Sequence, residues 1–149
     1  GNADALAINT DTLTLSNRSF LGSIVNTPGA TGNAGTVNIA ARSLTARNAS
    51  EIFSTTLGAG NASNLNLNVT EAITLDTSSK VQTSIGQDNR PIATGKSGDT
   101  TITTARLTLT NGGQIRATTR GPENAGNIRI QADVVAVDGV SDLDANDPS

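Results

Sequence analysis

The chain contains no cysteine, histidine, methionine, tryptophan or tyrosine, and only two aromatic residues, Phe20 and Phe53. Each absence removes a class of chemistry. Without Cys or His there is no disulfide framework, no Cys/His zinc site, no His-ligated haem, no Cys nucleophile and no Ser-His-Asp triad. Two phenylalanines do not make a base-stacking platform. Ten basic residues set against 13 acidic ones, a net charge of −3, argue against a nucleic-acid partner. No apolar run approaches the ~18 residues needed to span a bilayer. No signal peptide is present, and the first residue is Gly1 rather than Met, so the chain reads as a mature product or an excised fragment. Neither cofactor nor metal is expected.

Large apolar residues are also scarce. Leu, Ile, Val and Phe total 33 of 149 residues, about a fifth, close to the composition of disordered chains. The small net charge speaks against a charge-swollen coil. A folded chain must therefore use its apolar residues sparingly. What fills the gap is 22 Thr, 19 Ala, 16 Asn, 15 Gly and 13 Ser.

These residues are arranged in a repeat. Two apolar positions alternate, a gap of four to five follows, two more alternate, and a third segment ends on a small residue. The copies begin at Leu6/Ile8, Val37/Ile39, Leu65/Leu67, Thr100/Ile102 and Ile128/Ile130. They continue through Leu13/Leu15, Leu44/Ala46, Ile73/Leu75, Leu107/Leu109 and Val135/Val137. They close with Leu21/Ser23, Ile52/Ser54, Val81/Thr83, Ile115/Ala117 and Leu143/Ala145. The step from second to third segment is six residues in all five copies, and the repeat length is 31, 29, 34 and 28.

A period of two within each segment means strands. Three short strands per repeat predict an all-β, parallel β-helix of about five three-stranded coils, with a repeat of about 28–34 residues. Each strand would pair with its equivalent one repeat later, about 4.8 Å away. Files of like residues, such as Leu13–Leu44–Ile73–Leu107–Val135, would form a thin core. Asn17, Asn48, Thr77, Asn111 and Gly139 mark the turns after the second segment, where left-handed backbone and Asn ladders are expected. Residues 1–149 read as one solenoid segment, with the acidic stretch 138–149 frayed. Bare strand edges invite aggregation and neither end carries a capping helix, so the native chain is expected to continue in both directions.

The stretches AGNIRIQADVVAVDG, LTLTNGGQIRATTRG and GNAGTVNIAARSLTARNAS resemble the repeat region of filamentous-haemagglutinin-like exoproteins, the secreted partners of two-partner secretion, most closely the cyanobacterial kind. The resemblance implies a right-handed β-helix exported through an outer-membrane transporter, secreted or held at the cell surface, serving as a stalk or adhesin. The family's amino-terminal secretion motifs are not found here.

In a solenoid, contact residues sit on inserted loops. The longest connection runs from Val81 to Thr100 and carries Gln87, Asp88, Asn89, Arg90 and Lys96, an acid, amides and bases suited to extracellular glycans or a host or neighbouring cell surface. The same loop also reads as a tolerated insertion. Gly95-Lys96-Ser97 echoes a phosphate-binding loop but lacks its earlier glycine and a following helix. Asp142, Asp144 and Asn146 alternate as in calcium loops, without the turn glycine or closing Glu. Thr-x-Thr pairs recur, but not in every copy. Glu51 and Asp76 are the one carboxylate pair that adjacent coils would bring near each other. The reading is a structural, adhesive segment and not an enzyme. The alternative is a carbohydrate-active β-helix, lyase- or hydrolase-like.

Overall fold

A computed structural model describes residues 1–86, 93–139 and 142–144. Long and short strands alternate along the chain. The long ones are β1 (Leu6–Leu15), β3 (Val37–Ala46), β5 (Leu65–Asp76), β7 (Thr100–Thr110) and β9 (Ile128–Asp138). The short ones are β2 (Phe20–Val25), β4 (Glu51–Thr56), β6 (Lys80–Ile85), β8 (Gln114–Thr119) and β10 (Asp142–Asp144). The long strands form one parallel sheet, β1-β3-β5-β7-β9, and the short strands a second, β10-β8-β6-β4-β2. Every strand pairs with its equivalent one repeat on, which is a parallel β-solenoid. There is no helix among the described residues, and so none long and apolar enough to cross a membrane.

Two details differ from the expectation. The five coils are five rungs, joined by about 4 turns. And the first two segments of each repeat are not separate strands but the halves of one long strand, bent in the middle. The reason lies in the side-chain period. In β3 the buried positions are Val37, Ile39, Ala41, Leu44 and Ala46. The step from Ala41 to Leu44 is three, so Arg42 and Ser43 both miss the core and the strand turns a corner there. Pairing continues across it, with Ala41 opposite Val69 and Ser43 opposite Ala72. In β5 the corner holds one residue more, Thr70 and Glu71 against Arg42 alone, which is a bulge. That extra residue is why Leu67 to Ile73 is six when the other copies have five.

The predicted registers hold. Leu13, Leu44, Ile73, Leu107 and Val135 stand in one file. Ile52, Ile73, Leu107, Leu109 and Ile115 are fully buried in a single apolar core. Burial is lost at the ends of the stack: Val135 and Val137 of β9, the last long rung among the described residues, are 48% and 50% exposed.

The turns after the long strands also follow the sequence. Asn17-Arg18, Asn48-Ala49, Thr77-Ser78 and Asn111-Gly112 each place two successive residues at positive φ. The Asn48 side-chain amide donates to Asn17 Oδ1 at 3.1 Å. Just beyond the first three turns stand Ser19, Ser50 and Ser79, which tie successive rungs: the Ser19 N–H donates to Ser50 Oγ, and the Ser50 N–H to Ser79 Oγ.

The third wall is not a regular strand. It is built by Gly1-Asn2-Ala3-Asp4, Gly32-Asn33-Ala34-Gly35, Gly60-Asn61-Ala62-Ser63 and Gly95-Lys96-Ser97-Gly98. Backbone bonds alternate with side-chain ones. Ala34 N–H reaches Asn61 O at 2.9 Å, and Ala62 N–H reaches Lys96 O at 3.0 Å. Between them, Asn2, Asn33 and Asn61 each accept a backbone N–H of the next rung on Oδ1, from Asn33, Asn61 and Lys96, at 2.8–2.9 Å. Asn thus replaces the carbonyl that a regular strand would have supplied.

Candidate functional site

Of the loop residues expected to make contacts, Gln87, Asp88, Asn89 and Arg90 lie outside the described residues. Lys96 is described, and it belongs to the third wall rather than to a projecting loop. Its backbone holds Asn61 and Ala62, while its side chain is exposed.

Gly86, just past the end of β6, borders an open groove of about 550 Å³ on the outer face of the short-strand sheet. Strand alternation builds this groove. The outward positions of three successive rungs are Phe20 and Ile24 in β2, Glu51, Phe53 and Thr55 in β4, and Lys80, Gln82 and Ser84 in β6. Phe20, Glu51 and Lys80 form one file, and Gly22, Phe53 and Gln82 the next. Both aromatic residues of the chain are therefore in this one place. Their rings meet edge to face, centroids 6.5 Å apart at 74°. Gly22 makes this possible, since a Cβ there would stand 2.1 Å from Phe53 O and 2.9 Å from the Phe53 ring. Phe20 is held outward and is 68% exposed, and Ile24 beside it is 42% exposed.

The rest of the groove is polar. Gln82 Nε2 donates to Glu51 Oε1. Burial pushes the Glu51 carboxyl above its ordinary range, while Lys80 and the Gln82 amide pull it partly back. The hydroxyls of Thr55 and Ser84 are bonded to each other at 2.8 Å in the buried floor. An apolar, aromatic end thus passes over two rungs into a strip of one carboxyl, one amide and one ammonium group.

Other polar clusters have structural partners. At the corner of the long sheet, Arg42 bridges rungs, donating to both carboxylate oxygens of Asp11 at 2.7 and 2.8 Å and to Glu71 at 2.9 Å. The Arg42 guanidinium holds Asp11 below the usual carboxylate range. Asp76 is also held low, first by Asn111 Nδ2 at 2.7 Å and then by Thr110 Oγ1 at 2.9 Å. Asp76 and Glu51 thus have separate partners, and no hydrogen bond makes them an acid–base couple. Thr14, Thr45, Thr74 and Thr108 stand in one outward file, but the neighbouring file is the mixed Thr12, Ser43, Ala72 and Arg106. Among the described residues no three acidic groups gather as a metal site. Asp142 and Asp144 lie in β10, paired with β8, and Asn146 falls outside the described residues.

The groove was not legible as a site in the sequence. Phe20 and Phe53 are 33 residues apart and read as two isolated aromatics. The usable signal was the repeat itself: projecting the outward positions of the third segments onto one another places Phe20 against Glu51 and Phe53 against Gln82.

Comparison with known proteins gives no match to this chain, whether with family models, curated proteins or solved structures.

Proposed function

We propose that this chain is a structural, adhesive segment of a secreted or cell-surface β-helical exoprotein, of the filamentous-haemagglutinin-like kind exported by two-partner secretion. It acts as a rigid rod that presents loops and faces to glycans or to a neighbouring cell. The observation that supports this reading most directly is the repeated register: each inward file of the long-strand sheet runs through five rungs, with a single-residue bulge in β5 absorbed at the corner. Such a stack transmits load along its axis through parallel backbone ladders, with outward positions free to vary from rung to rung.

The test is a surface-binding assay on the full chain, against a panel of immobilised polysaccharides and whole cells, with the supernatant assayed for sugar ends. Retention without new reducing or unsaturated ends is the expected result. Release of such ends would make the chain a carbohydrate-active β-helix instead, and retention on no surface would remove the adhesive role.

A further inference from the structure

We propose that the groove over β2, β4 and β6 is a saccharide-binding site that takes a neutral pyranose unit, with Phe20 as the stacking platform and Glu51, Gln82 and Lys80 as the hydroxyl-binding groups. This rests on the adhesive reading above and assigns its contact surface.

The chemistry follows from the juxtaposition. A pyranose ring has an apolar face of C–H groups and an equator of hydroxyls. The C–H face stacks on the electron-rich face of an aromatic ring, and the hydroxyls need a mixture of donors and acceptors. Phe20 offers an open ring that packs edge to face on Phe53. One rung on, Glu51 accepts, and two rungs on, Gln82 both donates and accepts and Lys80 donates. The carboxyl and the ammonium stand on adjacent rungs of one file and offset each other. A charged sugar would leave one of them uncompensated, whereas a neutral one uses both. The groups project from paired strands, which fixes their spacing before any ligand arrives. The volume, about 550 Å³, lies within the ~300–1,000 Å³ of small-molecule sites.

The absence of Trp and Tyr gives a clean probe. The variant Phe20→Trp carries the only indole in the chain, placed on the platform itself. Titration with neutral gluco-, manno- and galacto-trisaccharides is expected to shift its emission for at least one of them. In parallel, adhesion of wild-type chain to films of the matching polysaccharide is compared with Phe20→Ala, Gln82→Ala and, on the far corner, Arg42→Ala. Losing the stacking ring is expected to weaken binding about tenfold. Gln82→Ala should weaken it as well, and Arg42→Ala should not. Phe20 is largely solvent-exposed, so its loss leaves the fold intact. Adhesion that survives both groove variants would overturn the groove as the site and leave the adhesive reading standing. Adhesion confined to acidic polysaccharides would overturn the neutral ligand. A wild-type chain that adheres to nothing, with an indole that responds to no sugar, would overturn both.

Discussion

The Ser63 backbone N–H donates to Ser54 Oγ at 3.0 Å, joining the third wall to the short-strand sheet across one turn of the solenoid. One rung earlier the Gly35 N–H meets Ser23 Oγ at 2.7 Å in the same way. The inward hydroxyls of Ser23 and Ser54 therefore do more than fit a narrow corner. Each satisfies a wall N–H that would otherwise face an apolar core. Ser54→Ala leaves that donor without a partner and is expected to destabilise the fold by about 1–3 kcal/mol in urea titrations. Ser54→Thr should lose much less, because the next rung already carries Thr83 at this position.

Core substitutions should depend on the rung. Ile73 is fully buried at the middle of its file, and Ile73→Ala is expected to cost about 2–5 kcal/mol. Ile73→Asp would bury a charge and should abolish cooperative unfolding. Val135 occupies the same file at the end of the stack and is 48% exposed, so Val135→Ala should cost well under half as much as Ile73→Ala. Equal losses at the two positions would contradict the file.

Much of this architecture was legible because the solenoid uses one rule five times. Leu13, Leu44 and Ile73 announce their file by spacing alone, and Asn17 and Asn48 announce their turn by residue type. Two features were hidden. The long strands looked like two because Arg42 and Ser43 interrupt the period. A corner and a break are identical as spacing, and only continued pairing separates them. The third wall looked like a loop because Gly32-Asn33-Ala34-Gly35 has no apolar alternation, its bonding being carried by Asn side chains. The groove was hidden for a different reason: its files run across rungs, and nothing local connects Phe20 to Glu51 or Phe53 to Gln82.

The glycines of the third wall should be among the least replaceable residues. A Cβ on Gly60 would lie 1.9 Å from the Gly32 carbonyl oxygen, and one on Gly95 would lie 1.9 Å from that of Gly60. These are backbone atoms locked in the ladder, so Gly60→Ala must push two rungs apart and should lower the melting temperature by many degrees. Gly29 is the useful contrast. It has open space around it but a φ of +77°, and Gly29→Ala should cost only the left-handed penalty of about 1–2 kcal/mol.

Stability should vary with pH in two opposed limbs. Burial raises the folded-state pKa of Glu51 above its ordinary 4.5. The ionised form therefore disfavours the fold above the folded pKa, and that penalty is relieved as pH falls to about 4.5. Asp11 and Asp76 are lowered from 3.8, so the stability they contribute is present above that value and is lost as pH falls below it through their folded pKa values. Thermal melts of wild type should therefore rise on mild acidification from neutral pH and fall again below about 3.8. Glu51→Gln should raise the neutral melting temperature and flatten the upper limb, leaving the acid limb in place. An upper limb unchanged in Glu51→Gln would show that another group causes it.

The register of the rungs underlies the rod and the groove alike, and a cysteine pair tests it most directly in a chain that has no other thiol. Thr55 and Ser84 are paired on adjacent rungs with their hydroxyls 2.8 Å apart. The double variant Thr55→Cys/Ser84→Cys should therefore close an intramolecular disulfide on mild oxidation, seen as two thiols lost from the monomer. Ile24→Cys/Ser84→Cys puts the thiols two rungs apart, about 9.6 Å along the stack and beyond disulfide reach. It should keep both thiols under the same conditions. Closure of the two-rung pair, or failure of the adjacent one, would contradict the stacked, in-register solenoid.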